Sequence, residues 1–505
     1  MKLAKTHFFL LIFGILTVVS GVFIVDHYRS RLSPEAAVTA TDDYQIISRS
    51  CWFNIPPGES IDCGELRTPA SSGAFTLPFV IIHDASVDRR PDPLVYLRGG
   101  PGASMELDTD GIEYWLSWRG YTGLKRDLIL LEPRGVGRSK PALTCAAFDK
   151  FSLAVAALDT KLADELAQGY KILTECFNNL SVAPYAFSID NYGTSLHAQD
   201  LQALMTQLDY SHWNLLGVSY GTRVALEVAN HFDKVRSVIL DSVYPAWQGG
   251  VQSFPAVLDN AFINFFNWCS AAPECAMGEP IQKKLFSALD ELKKRPINLT
   301  VPRYNGELPV EFLLNDHRFV AVIFAALYSK HQWEKIPLAI DSVIARDAQS
   351  LLPMVTPFIN NAFAEDFSVL AFLAVDCSDH PVSLESDYQH ALKDYPLLAE
   401  YTRDLWRYQA CHFLSKGVSA RVPKAELPQV PALILAGDLD PITPVEWAEE
   451  LAQGWPKAQL QIFRNTGHAV INSDDCATQL VREFLDNPQE PVTSCKSFIK
   501  ESSRD

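Results

Sequence analysis

"WNLLGVSYGTRVAL", residues Trp213–Leu226, sets one serine between two glycines, with an apolar run before it and a helix-like run after it. A chain that passes from strand to helix in a single tight turn has no room for bulky side chains two places either side of the turn residue. Gly217 and Gly221 satisfy that demand around Ser219. The turn then holds the serine in a strained conformation and presents its hydroxyl above the sheet edge. A G-x-S-x-G pattern arises readily by chance, and a bland turn serine is the competing reading. Its placement between an apolar strand and a helix makes Ser219 the candidate nucleophile.

The flanking sequence keeps an alternating rhythm. "PLVYLRGG" from Pro93, "LILLEPRG" from Leu128, "HWNLLG" from His212 and "SVILDS" from Ser237 read as strands. Thr194 can cap a helix whose Ala198, Leu201, Leu204, Met205 and Leu208 share one apolar face, and Thr222–His231 reads as another helix. Such βαβ alternation predicts a mostly parallel sheet with helices on both faces. After Pro245 the rhythm changes. Phe254–Trp268, Ile281–Lys294, Phe312–Ser329 and Leu384–Tyr408 read as helices with no clear strand among them. "RVPKAELPQVP" then gives a proline-punctuated linker, and strands return as "ALILAG" and "LQIF". These last strands need a sheet to join, so the expected organisation is residues 1–40 as a leader, 41–245 as the first part of the core, 246–427 as a helical insertion and 428–505 as the second part of the core.

A serine hydroxyl becomes a useful nucleophile only when a histidine takes its proton and an acid orients that histidine. On an open α/β sheet the partners are expected just past the carboxyl ends of later strands. "DLDPITP" follows "ALILAG" and "RNTGHAV" follows "LQIF". His468 is therefore the candidate base. Asp438 and Asp440 both fit the acid, and spacing does not separate them. An anionic tetrahedral intermediate also needs two backbone N–H donors. Tyr220, immediately after the nucleophile, is one. "YLRGGPGAS", Tyr96–Ser104, is a loop suited to supply the other. Pro101 has no N–H, which leaves Gly100 or Gly102, with Gly100 taken as the donor.

Five motifs in one order resemble a known group. G-G-P-G at Gly99–Gly102, R-G-x-G-R-S at Arg134–Ser139, G-x-S-Y-G-T at Gly217–Thr222, G-D-x-D-P-x-T-P at Gly437–Pro444 and T-G-H at Thr466–His468 look like the α/β-hydrolase serine peptidases. These include prolyl aminopeptidase and, more closely, exported tripeptidyl-aminopeptidase-like enzymes. The likeness covers most of the chain from about Cys51, including "AVDCSD" at Ala374–Asp379. It implies an α/β-hydrolase fold with a large helical cap, Asp440 as the triad acid, a peptide substrate and no cofactor. Two positions depart from the prolyl-aminopeptidase pattern: Arg98 stands where histidine is usual, and Glu132-Pro133 replace an Asp-Gln pair.

Whole-chain features narrow the function classes. With 43 Lys+Arg against 60 Asp+Glu the formal net charge is −17, and no basic run suggests nucleic-acid binding. "GVGRSK" at Gly135–Lys140 lacks the spacing of a phosphate loop, and no H-E-x-x-H or clustered His/Cys spacing implies a metal. Lys2 and Lys5 precede an apolar run, Phe8–Val25, long enough for an uncleaved membrane anchor; a signal peptide cleaved after "VTA" at Val38–Ala40 is the rival. Both imply export to an extracytoplasmic location, periplasmic, membrane-anchored or secreted. Ten cysteines fit an oxidising compartment. Nearest-neighbour pairing would close five local loops, although sequence does not fix connectivity and buried free thiols compete.

Three functions compete at this stage. The first is an exported aminopeptidase, tripeptidyl- or prolyl-aminopeptidase-like, which requires a cap carboxylate for the substrate ammonium; Asp379 and Asp376 are candidates. The second is a carboxylesterase or lipase with the same triad. The third is a non-catalytic binding protein on a hydrolase scaffold.

Overall fold

The computed structural model describes residues 43–493 apart from 183–185, 273–274, 276–277, 381 and 416–425. The apolar run Phe8–Val25, the segment Val38–Ala40, Cys495 and the first half of the proline-punctuated linker lie outside the described residues. No helix among the described residues is long and apolar enough to cross a membrane.

Nine strands form one sheet in the order β1-β2-β3-β5-β4-β6-β7-β10-β11. They are β1 Gln45–Arg49, β2 Ile61–Arg67, β3 Thr76–Ile82, β4 Leu94–Leu97, β5 Leu128–Leu131, β6 Trp213–Val218, β7 Val235–Asp241, β10 Ala432–Gly437 and β11 Ala458–Phe463. The first three pair antiparallel, as does β3 with β5; every pair from β5 to β11 is parallel. The central strands are fully buried, and their near-continuous apolar sequences follow from being covered on both faces. Side-chain alternation divides each strand between two cores. Leu215 and Leu240 pack on one face of the sheet, while Leu216, Val218 and Ile239 pack on the other.

The chain leaves β4 for β5 on one side and later places β6 on the other side of β4. Strand order therefore reverses between β4 and β6, which opens a crevice at their carboxyl ends. The loops after β4, β6, β7, β10 and β11 all emerge at this edge.

Between β7 and β10 lies a largely helical segment with its own apolar core, built from Phe262, Phe265, Leu285, Phe319, Ile323, Trp333 and Val355 among others. It is not free of strands. β8 Ile297–Val301 and β9 Val310–Leu314 form an antiparallel pair. β9 replaces the start of the helix expected over Phe312–Ser329, which instead runs Asp316–Ala326. "INLTV" alternates buried and exposed residues with period two, the pattern of a half-covered strand. Thr194 is also not a cap: the helix Thr194–Leu208 has Gly193 at its N-cap, and the Thr194 hydroxyl instead donates to Asp379.

Among the described residues, four disulfides link near neighbours: Cys51–Cys63, Cys145–Cys176, Cys269–Cys275 and Cys377–Cys411. Cys476 is disulfide-bonded as well.

Candidate active site

β6 ends at Val218, and the helix Tyr220–His231 begins two residues later, so Ser219 alone makes the turn. It takes φ 56° and ψ −122°, outside the regions open to most side chains at low cost. The glycines are required by close approach. A Cβ on Gly217 would lie 2.4 Å from the Gly221 carbonyl oxygen, and one on Gly221 would lie 2.0 Å from that of Leu97 at the end of β4. Tyr220 opens the helix, so its N–H is among those with no intrahelical acceptor. Across the crevice the Gly99 backbone packs directly on the serine: its Cβ position is 3.0 Å from Ser219 Cβ and 3.5 Å from Oγ. Gly100 follows at φ 137°. Gly102 packs against Phe367 and Ser368 of the helical segment.

His468 and Asp440 come together in the loops after β11 and β10. His468 Nδ1 lies 2.8 Å from Asp440 Oδ2. The remaining acceptor positions of Asp440 are filled by the N–H groups of Ile442 and Thr443 and by the Thr443 hydroxyl. Burial opposes the charge on Asp440, but the adjacent His468 and the Thr443 donors outweigh it and hold the pKa below the usual carboxylate value. Burial likewise opposes charging of His468; the facing Asp440 overcomes it and raises the imidazole above its ordinary 6.5. Asp438 is placed differently. It accepts a hydrogen bond from Thr466 N–H and pairs with exposed Arg464, so it braces the loop rather than the ring. The ring hydrogen bonds of His468 run to Asp440 and Thr443, and among the described residues none runs to the Ser219 hydroxyl. Catalytic hydrogen bonds often tighten only once substrate is bound.

Two residues that sequence reasoning missed tie these loops together. Asp241, at the end of β7, accepts Ser219 N–H through its backbone carbonyl, while its carboxylate accepts the N–H groups of Val470 and Ile471 just beyond His468. Full burial is the main cause that pushes its carboxyl up to about 6, against the pull of those two N–H groups and His468. Its signal was a strand ending in a charge, "SVILD". Tyr328, from the helical segment, accepts His468 N–H through its carbonyl at 3.0 Å and sets its ring edge-on to the imidazole, with centroids 5.1 Å apart. Nothing local in the sequence marks it.

Asp379 and Asp376 are committed elsewhere. Asp379 accepts both the Thr194 N–H and hydroxyl and faces Arg223 at 3.6 Å. Asp376 pairs with His380 at 2.9 Å. Among the described residues no cluster of three His, Cys, Asp or Glu side chains could hold a metal ion.

A sheet with this strand order, a strained serine at its switch point and an Asp–His pair on its later loops agrees with the match of residues 92–474 to the alpha/beta hydrolase fold family. The chain belongs to that family. It is a serine hydrolase. Serine protease Hip1 of Mycobacterium tuberculosis (strain ATCC 25618 / H37Rv) is 23% identical over 461 residues, covering 87% of this chain and 88% of that one. A tripeptidyl aminopeptidase of Streptomyces lividans is 24% identical over 477 residues, covering 86% and 82%. Carboxylesterase B of Mycobacterium tuberculosis (strain ATCC 25618 / H37Rv) is 25% identical over 474 residues, covering 86% of each. The hydrolase thus resembles proteins named for peptide and for ester substrates at nearly equal identity.

Proposed function

We propose that the protein is an exported serine hydrolase that cleaves peptides from a free amino terminus through a Ser219–His468–Asp440 triad. The observation that carries the reading is the buried Asp440–His468 pair at 2.8 Å on the loops facing the Ser219 turn. With Nδ1–H donated to Asp440, the ring offers Nε2 as base. His468 takes the Ser219 proton as Oγ attacks the carbonyl carbon, and Asp440 stabilises the imidazolium. Tyr220 N–H and the Gly99–Gly100 backbone receive the developing oxyanion. Collapse expels the leaving amine, protonated by His468; water then attacks the acyl-enzyme by the same route in reverse.

Substrate class rests on the relatives named serine protease and tripeptidyl aminopeptidase. Export rests on the disulfides, which persist in oxidising compartments. The carboxylesterase relative favours a second reading, ester hydrolysis by the same triad. A panel of tripeptidyl-, prolyl- and aminoacyl-coumarins, with free and blocked amino termini, run beside short-chain esters, separates the two. Peptidase action predicts cleavage of peptides with a free amino terminus and not of their blocked counterparts, whether or not activated esters are also turned over. Equal cleavage of blocked peptides, or cleavage of esters with no peptide turned over, contradicts it. Ser219→Ala should lower kcat by roughly ten-thousandfold or more on whichever substrate is turned over.

A further inference from the structure

The turn Gly99-Gly100-Pro101-Gly102 carries a donor that must be fixed to within about 0.5 Å to be useful, yet three of its four residues are glycine. What fixes it lies at its base. Arg98 enters the turn with its side chain 12% exposed, and its guanidinium donates to the Ser104 carbonyl at the turn's exit. The same group lies 2.6 Å from the Glu106 carboxylate and 3.5 Å from that of Asp366. Entry and exit of the turn are therefore held by one side chain, and a third arm reaches the helical segment between β7 and β10.

The backbone repeats the connection. Ser104 N–H donates to the Asp366 carbonyl and Ser368 N–H donates to the Gly102 carbonyl, both at 2.8 Å, making a short antiparallel bridge between Ala103 and Phe367. A Cβ on Gly102 would lie 2.7 Å from the Ser368 carbonyl oxygen, so glycine is needed for this approach. Ser368 in turn caps the helix Val369–Asp379 and donates to the Leu143 carbonyl. Beneath the exit, Met105 N–H donates to buried Glu132 at 2.8 Å.

We propose that Arg98 is the positioning residue of the oxyanion loop, closing the Gly99–Gly102 turn at its base and coupling it through Asp366 to the helical segment. The seating of that segment then sets where the loop's N–H donor stands relative to Ser219. The inference rests on the acyl-transfer reading above. Neither Arg98 nor Asp366 touches the reacting atoms; both act through the backbone they hold.

The test measures the second-order rate at which a fluorophosphonate labels the hydrolase, since its phosphoryl oxygen occupies the same hole whatever the natural substrate. Arg98→Gln should label roughly 10- to 100-fold more slowly than wild type. Asp366→Asn should slow it in the same direction. On p-nitrophenyl acetate both should lower kcat while KM stays within about threefold, a split that general loosening does not produce. Thermal unfolding of each variant verifies the fold, and Asp366→Asn carries the test if Arg98→Gln does not fold. Labelling within twofold of wild type in a folded variant overturns the proposal. Wild-type protein that takes no label at Ser219 instead overturns the acyl-transfer reading itself.

Discussion

Ser219 holds a conformation that costs on the order of 1–3 kcal/mol, sustained because β4, β6 and the helix after it leave the backbone no alternative. The strain puts Oγ at the edge where the histidine loop arrives. At His468 the decisive neighbour is Asp440, whose carboxylate favours the charged ring and so raises the imidazole. In the proposed triad hydrolysis needs that ring neutral, so activity should fall as pH drops through a single ionisation above the ordinary 6.5. Removing the carboxylate removes the stabilisation of the imidazolium. Asp440→Asn should therefore move the acid limb of kcat/KM to lower pH while lowering kcat by about a thousandfold or more. Asp438→Asn, which loses only loop contacts, should leave the limb in place and kcat within about threefold. Parallel pH–rate profiles of the two variants check this; a crippled Asp438 variant beside an active Asp440 variant would reverse the assignment.

At the scale of elements, loops with distant partners matter more than the strands that carry them. Glu132 follows β5 directly, beneath the exit of the Gly99–Gly102 turn, and complete burial is the main cause that pushes its carboxyl up to about 7, against the N–H of Met105 and the positive charge of Arg98. The folded state thus binds a proton that the unfolded chain releases near 4.5. The stability this contributes is full below the unfolded pKa and lost as pH rises through 7, a change of about 3 kcal/mol. Glu132→Gln should remove that fall, so its unfolding free energy relative to wild type should rise by about that amount between pH 4.5 and 7.5 in urea titrations. The element scale also shows what sequence reveals. The strand-to-helix turn at Ser219 is local, so its glycines announce it. Asp438 and Asp440 stand two residues apart on one loop, so spacing does not separate them; the resemblance points to Asp440, and the hydrogen bonds set Asp440 rather than Asp438 against His468. Arg98, Asp241 and Tyr328 act through partners between 6 and 268 residues away in the chain, or across loops, which no local pattern encodes. β8 and β9 were hidden among helices because each is only five residues long.

Across the whole molecule, the helical segment meets the Ser219 edge of the sheet through Tyr328 against His468 and Asp366–Ser368 against the Gly99–Gly102 turn; most of it has its own core, while its helix Val369–Asp379 packs into the core of the sheet. A disulfide closes part of the same segment. Cys377–Cys411 joins the helix Val369–Asp379, which follows the Ala103–Phe367 bridge, to the short helix Cys411–Leu414, 34 residues on. Closing a loop of that length should stabilise the fold by about 3–4 kcal/mol through lost freedom of the unfolded chain. Replacing both cysteines by serine should lower the unfolding free energy by about that amount, measured by denaturant titration. An unchanged midpoint would show that the bridge does not tie the segment down.

In the proposed mechanism the substrate's acyl group is transferred to Ser219 Oγ as its leaving group departs. The most direct measurement is intact-protein mass spectrometry after acid quenching during turnover of an activated acyl ester, followed by fragmentation to locate the adduct. One acyl group on Ser219 in the wild type, and none in Ser219→Ala, is the expected result. An acyl group on another residue, or steady-state turnover at wild-type rate by Ser219→Ala, would contradict it.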